Sequence, residues 1–162
     1  MHEIIPYSAI EEKVAQLRSK FPGATIAFTN GCFDILHKGH VAYLEKAAQA
    51  ADFLIVGLNS DASVRRLKGE DRPFMTQDDR AFILSRLEMV DIVCIFEQDT
   101  PLELIRKVKP DVLVKGDDYR LSEIVGRDFV EENGGKVFTV PLIKGRSTTN
   151  IIKRIRESKP EK

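Results

Sequence analysis

Two histidines stand three residues apart, with a glycine between them, in the run Asn30-Gly-Cys-Phe-Asp-Ile-Leu-His37-Lys-Gly39-His40. An imidazole, neutral or protonated, can donate to phosphate oxygens. Both rings can aim at one phosphate, and Gly39 has no side chain to block its approach. When the α-phosphate of a nucleotide is attacked, negative charge grows on its equatorial oxygens and on the departing bridge. Donors fixed there in advance lower the barrier without a covalent intermediate. The neighbouring sequence suits this chemistry. Ala24 to Phe28 reads as a buried strand that breaks at Asn30-Gly31, and a helical pattern starts near Gly39 with Val41, Leu44, Ala47 and Ala48 on one face. A strand leading through such a turn into a helix start is where open α/β sheets bind nucleotides, because free N–H groups and the helix dipole face an anion. A nucleotide phosphate site is the expectation.

Asp34, His37 and His40 are also spaced by threes, and two imidazoles with a carboxylate would suit zinc or iron. Successive threes drift by about 60° per step around a helix, and Asp34 precedes this one, so the metal reading is set aside. Asp34 and Asp61 each follow a strand. Either is a turn or cap carboxylate, a water-mediated Mg²⁺ ligand, or an acceptor for a substrate hydroxyl. Lys68 ends Arg65-Arg66-Leu67-Lys68-Gly69, which is a solvated basic face or a cationic flap over a triphosphate. Arg72 and Arg80 leave the same alternatives. Gly145-Arg146-Ser147-Thr148-Thr149 precedes Ile151, Ile152 and Ile155, and reads as an ordinary cap or as a second helix start aimed at the β- and γ-phosphates. Asp117, in Lys115-Gly116-Asp117-Asp118-Tyr119, sits at a strand end where a binding role stays open, while Asp78-Asp79 and Glu131-Glu132 read as solvated.

The elements that must position these groups alternate along the chain. Residues 8–21 read as an amphipathic helix with Ser8 as N-cap, Glu11 three residues on, and Pro22-Gly23 as its end. Further strands are expected at Asp52–Leu58, Ile92–Phe96, Asp111–Val114 and Lys136–Val140. Helices are expected over 61–68, over Thr76–Met89 with Phe82, Ile83 and Leu87 facing the core, from Asp99-Thr100-Pro101 to Val108, near Glu123–Asn133, and from Ser147 onward. Strands without strict alternation, separated by helices, define an α/β three-layer sandwich around a five-stranded parallel doubly wound sheet. A single domain spans 1–162 with its core at 24–156, and the Pro-containing tail reads as a frayed end. Loops following the strands gather at the carboxyl edge of the sheet, where ligands of such folds bind.

Composition limits the alternatives. Of 162 residues, 43% are hydrophobic, enough for a core, and Lys plus Arg equals Asp plus Glu at 25 each. A zero net charge argues against a nonspecific nucleic-acid binder. The two cysteines, Cys32 and Cys94, read as reduced, buried thiols. No signal segment and no membrane-length apolar stretch stands out, so a cytoplasmic protein with no membrane or nucleic-acid partner is expected.

Gly31-Cys-Phe-Asp-Ile-Leu-His-Lys-Gly-His40 resembles the signature of the cytidylyltransferase-like nucleotidyltransferases, and Gly145-Arg-Ser-Thr-Thr149 resembles their second, C-terminal signature. Val56-Gly-Leu-Asn-Ser-Asp61, Arg66-Leu-Lys-Gly69, Val90-Asp-Ile-Val93, Asp99-Thr-Pro101, Pro110-Asp-Val-Leu-Val-Lys-Gly-Asp-Asp-Tyr119 and Ile124-Val-Gly126 are similar to the ADP-heptose-forming branch. The likeness covers residues 24–156. It implies a Rossmann-like fold and conversion of ATP and heptose 1-phosphate to ADP-heptose and pyrophosphate with Mg²⁺, for lipopolysaccharide core or surface heptose glycans. It further implies a stand-alone form whose kinase is supplied separately, in a homodimer or larger assembly. Carried over by position, His37 and His40 contact the ATP phosphates, and Lys68 closes on the α-phosphate or the sugar phosphate. The backbone at Cys32 and Phe33, with Ser147 and Thr148, lines the nucleotide; from the residues themselves Gly39, Asp117, Gly145 and Arg146 are further nucleotide candidates, and Asp34, Asp61 and Arg80 candidates for the other substrate. No metal ligand set is implied beyond Mg²⁺ on the phosphates, reached through water from Asp34. Leu142 and Glu88 stand where glycerol-phosphate cytidylyltransferases lead one to expect arginines, which suits ATP over CTP. The rivals are a polyol-phosphate cytidylyltransferase and a non-catalytic nucleotide sensor.

Overall fold

Apolar runs such as Phe53-Leu-Ile-Val-Gly-Leu and Ile92-Val-Cys-Ile-Phe carry hydrophobic residues on both faces of a strand, and such strands need helices above and below. The computed structural model describes residues 1–158 and gives them that setting; residues 159–162, in the Pro-containing tail, lie outside the described residues. The elements in chain order are β1 (Glu3–Ile4), α1 (Ile10–Lys20), β2 (Ile26–Gly31), α2 (Lys38–Ala48), β3 (Phe53–Asn59), α3 (Asp61–Lys68), α4 (Gln77–Ser85), β4 (Ile92–Phe96), α5 (Leu102–Val108), β5 (Val112–Gly116), α6 (Arg127–Glu132), β6 (Lys136–Val140) and α7 (Thr148–Glu157). The strands form one sheet in the order β1-β4-β3-β2-β5-β6, with every pair parallel.

Strand parity sorts the core into two layers. Phe28, Ile55, Ile92 and Leu113 pack with Val14 and Leu17 of α1, Ile105 of α5 and Val130 of α6. Their sequence neighbours Ala27, Leu54, Val56 and Val114 pack with Leu44 and Ala47 of α2 and Leu84 of α4. Each side chain points opposite to the one before it, so a single buried strand feeds both layers.

Three expectations need correction. The sheet has six strands, not five. Glu3 and Ile4 pair with Ile92 and Val93, and Ile5 N donates to Val93 O at 2.9 Å. A two-residue strand has no periodicity of its own; the open edge of β4 creates it. Ser8 does not cap α1: Tyr7–Ala9 form a 3₁₀ turn and the helix starts at Ile10 with no side-chain cap. On α4 the buried residues are Arg80, Ala81, Leu84 and Ser85, while Phe82 is 56% exposed. The helix closes at Ser85, so Leu87 lies beyond it, and the hydrogen bonds of Arg80 turn that residue's side of the helix inward.

The order of the sheet changes direction at β2, which has β3 on one side and β5 on the other. The crevice outside the carboxyl ends of β2 and β5 is the switch point where doubly wound sheets take ligands.

Candidate active site

His37 is the N-cap of α2, in extended backbone at φ −141° and ψ 172°, and its Nδ1 accepts from Gly39 N at 3.0 Å. A ring nitrogen that accepts carries no proton, so the remaining proton of the neutral ring sits on Nε2. The His40 ring stacks on His37 with centroids 3.8 Å apart and planes 26° from parallel, and its other side meets the edge of Phe33 at 5.4 Å. Gly39 is required by this packing: a Cβ there would come within 2.8 Å of His37 Cε1 and 3.2 Å of the Arg146 carbonyl. Burial, then the positive field of Arg146, lowers the pKa of His37. Burial, then His37 itself, pulls His40 down to about 4, against an opposing pull from Asp34. Both rings are therefore neutral at pH 7. His40 Nδ1 is buried and, among the described residues, has no hydrogen-bond partner.

A second helix start lies beside the first. Ser147 Oγ caps α7 by accepting from Asn150 N at 3.2 Å, and Thr148 Oγ1 donates to the main-chain oxygen of Asp34 at 2.7 Å. The N-termini of α2 and α7 thus border the same crevice, with their free N–H groups and positive dipole ends.

Asp34 proves to be a tie within the protein. Its side chain is 1% exposed and accepts from Arg72 Nε at 2.9 Å, Phe74 N at 2.9 Å and Met75 N at 3.0 Å. Burial pushes its pKa up, but the two backbone N–H groups and Arg72 outweigh that and hold it below the ordinary carboxylate value. Three of its roughly four acceptor positions are thus spent on the protein, so it fastens the loop between α3 and α4 to the first signature while still lining the crevice. Among the described residues no cluster of three His, Cys, Asp or Glu gathers around one point, and the face-to-face rings of His37 and His40 cannot chelate.

Arg80 and Asp61, unlike Asp34, do not line the crevice. Arg80, 1% exposed, donates to the carbonyls of Met75, Cys32 and Asn59 and to Asp61 Oδ1 at 2.7 Å. It braces the turn after β2 from behind. Asp117 Oδ1 accepts from Leu142 N at 3.1 Å and ties the end of β5 to the end of β6, leaving Asp118 to line the crevice. Gly145 turns the chain at φ +73°, where a Cβ is disfavoured, and its carbonyl takes Asn150 Nδ2. Both lie off the crevice wall.

The crevice itself encloses about 630 Å³. Cys32, Phe33, His37, Gly39, His40 and Lys68 line it, and Arg146, Ser147 and Thr148 complete that wall. Cys32 is half-buried rather than buried, and Cys94 is buried; both thiols are free. Burial raises the Cys32 pKa, against Lys68, Arg80 and Arg72. Arg72, left open above as a flap residue, also lines the crevice, as do Asn30, Lys115 and Tyr119, to which sequence reasoning assigned no specific role. Lys115 is 8% exposed, its ammonium donates to Asn30 Oδ1, and burial lowers its pKa to about 8 despite Asp118. The available signal was a lysine at the end of the apolar run Val112-Leu-Val.

A doubly wound parallel sheet whose switch-point crevice holds paired imidazoles and two helix starts has the architecture of a nucleotidyltransferase. The cytidylyltransferase-like family model matches residues 28–154, and the chain belongs to that family of nucleotidyltransferases. It is 54% identical over 158 residues to a "Bifunctional protein HldE" of Campylobacter concisus, covering 98% of this chain and 32% of that one. A protein of the same name from Nitratiruptor is 59% identical over 134 residues, covering 83% and 28%. The chain spans about a third of the length of the curated relatives it matches. Among solved structures, a lipopolysaccharide core biosynthesis protein from Thermoplasma volcanium aligns with TM-score 0.62 and 28% identity over 76% of this chain and all of that one. A pantoate-β-alanine ligase from Francisella tularensis, in complex with "Beta-gamma ATP" and β-alanine, shares the fold at TM-score 0.65 and 16% identity, over 96% and 77%. No helix among the described residues is long and apolar enough to cross a membrane.

Proposed function

We propose that this chain is a D-glycero-D-manno-heptose 1-phosphate adenylyltransferase, joining ATP and the sugar phosphate into ADP-heptose and pyrophosphate for lipopolysaccharide core or heptose glycan synthesis. The observation that carries the reading is the convergence of the stacked His37–His40 pair with the start of α7 in one crevice. The names of its relatives and the motif resemblance to the ADP-heptose-forming branch support the choice of sugar.

The reaction is an in-line displacement. A phosphate oxygen of the sugar 1-phosphate attacks the α-phosphorus of ATP; the new O–P bond forms as the bond to the bridging oxygen breaks, and pyrophosphate leaves with that electron pair. The attacking oxygen is already ionised, so no general base is needed. His37 donates from Nε2, and His40 donates beside it, to oxygens that gain charge in the transition state. The α7 N–H groups and Arg146 receive the β- and γ-phosphates. Lys68, at the end of α3, closes on the α-phosphate or the sugar phosphate. Mg²⁺ bound to the triphosphate would neutralise part of its charge.

The test is pyrophosphate release from a nucleotide panel with heptose 1-phosphate anomers and other sugar 1-phosphates. ATP with a heptose 1-phosphate should give the fastest release. A marked CTP preference would replace the reading with a cytidylyltransferase, and tight ATP binding without release from any sugar phosphate would replace it with a sensor.

A further inference from the structure

Lys115 is a buried ammonium in the crevice, and nothing in the mechanism above uses it. Its register explains its position. β2 and β5 pair Ala27 with Val112 and Phe28 with Leu113. Continued by two residues, the same offset sets Asn30 opposite Lys115 at the carboxyl ends of the two strands, and the Lys115 ammonium donates to Asn30 Oδ1. One of its three protons is thereby placed, and two remain. None of the described carboxylates forms an ion pair with it although the residue is 8% exposed, and the field of Asp118, which lines the same crevice, does not offset its burial. The Tyr119 ring lies over it at 5.6 Å. Burying a cation without a counter-ion is costly, and an arriving anion removes that cost.

Strand parity decides which anion. Asn30 shares a sheet face with Phe28, and Lys115 shares one with Leu113, the face covered by α1, α5 and α6. The Gly57 position confirms it, since a Cβ there would meet Phe28, Leu104 of α5 and Asn30 together. The paired histidines belong to the opposite side of the crevice, on α2 whose Leu44 and Ala47 pack in the other layer, and the start of α7 lies beside them, with the Arg146 carbonyl close to Gly39 and Thr148 bonded to Asp34. In an in-line displacement the attacking oxygen and the departing pyrophosphate lie on opposite sides of the α-phosphorus. With the triphosphate tail held by the α2 and α7 starts, the attacking phosphate enters from the Lys115 side. We infer that Lys115, braced by Asn30, binds the phosphate monoester of the acceptor sugar and sets its attack angle, leaving the nucleotide to the other wall. This rests on the sugar-phosphate reading above.

The experiment compares wild type with Lys115→Gln, Lys115→Arg and Asn30→Ser, measuring KM for each substrate by pyrophosphate release. Acceptor binding is measured separately by calorimetry in the presence of α,β-methylene-ATP, which cannot react. Lys115→Gln should raise the KM of heptose 1-phosphate roughly ten- to a hundredfold, the scale of a hydrogen bond to a charged group, with the KM of ATP unchanged. Lys115→Arg should recover part of the loss, and Asn30→Ser should show a smaller rise in the same constant. A rise in the KM of ATP instead, or an unchanged acceptor KM in folded Lys115→Gln, overturns the inference. If wild type releases no pyrophosphate, the adenylyltransferase reading fails by itself. The calorimetric arm then decides Lys115 with inorganic phosphate as probe: binding lost in Lys115→Gln supports the site, and binding retained overturns it.

Discussion

The Thr148 hydroxyl donates to the main-chain oxygen of Asp34 at 2.7 Å, across 114 positions of sequence, and so joins the loop before α2 to the first turn of α7. This contact links the two helix starts that face the crevice, and Asp34 extends the link to the α3–α4 loop through Arg72, Phe74 and Met75. Replacing Thr148 with valine keeps the shape and removes the donor. Stability should fall by about 1 kcal/mol, the net worth of one such bond, while the KM of ATP rises because α7 is no longer held in register with α2. Urea midpoints and steady-state kinetics on the same preparation read the two effects separately, and an unchanged KM would mean that α7 is positioned without Thr148.

His40→Ala removes one fixed donor and the stacking partner of His37. Turnover should drop by roughly two to three powers of ten, the scale of losing one transition-state donor. Single-turnover pyrophosphate release is the measurement, and near-normal turnover would take His40 out of the mechanism.

Acid should weaken the fold through the same ring. The His40 pKa is about 4 in the folded chain against an ordinary 6.5, so the unfolded chain binds the proton first. The contribution is complete above pH 6.5 and is lost as pH falls toward 4, with His37, also lowered, acting in the same direction. Urea midpoints across that window should decline in wild type and decline less in His40→Leu. Parallel curves for the two proteins would assign the acid sensitivity to other groups.

Arg80→Leu should act on stability, since Arg80 donates to three carbonyls and Asp61 with its side chain fully buried. Removing one partner of a buried pair costs about 3–5 kcal/mol. Thermal unfolding should show most of the damage, and any residual folded enzyme should keep its KM for the sugar phosphate. A selective rise in that KM, with little loss of stability, would return Arg80 to the substrate site.

Local chemistry made much of this protein legible. Ile92–Phe96 and Lys136–Val140 are strands at the residues their apolar runs mark, and Asp61–Lys68 is a helix over its full expected span. The paired histidines and the Ser147 cap announced two helix starts, because capping and phosphate binding depend on residues close in sequence. β1 escaped notice because its pairing partner, not its own two residues, makes it a strand. On α4 the inward face followed Arg80 rather than Phe82, because three distant acceptors and the nearby Met75 carbonyl outweigh one exposed ring.

Residue types and spacing were enough to establish the α/β class, the strand–turn–helix phosphate motif and the family resemblance, since each rests on short-range periodicity and backbone geometry. Only the folded chain decided which charged groups face the crevice. Asp61 and Arg80 bond the protein away from it and Asp34 lines it while tied to Arg72, whereas Lys115 is carried into it by the pairing of β5 with β2. That division depends on partners 19 to 85 residues away, and no local pattern encodes contacts at such separations.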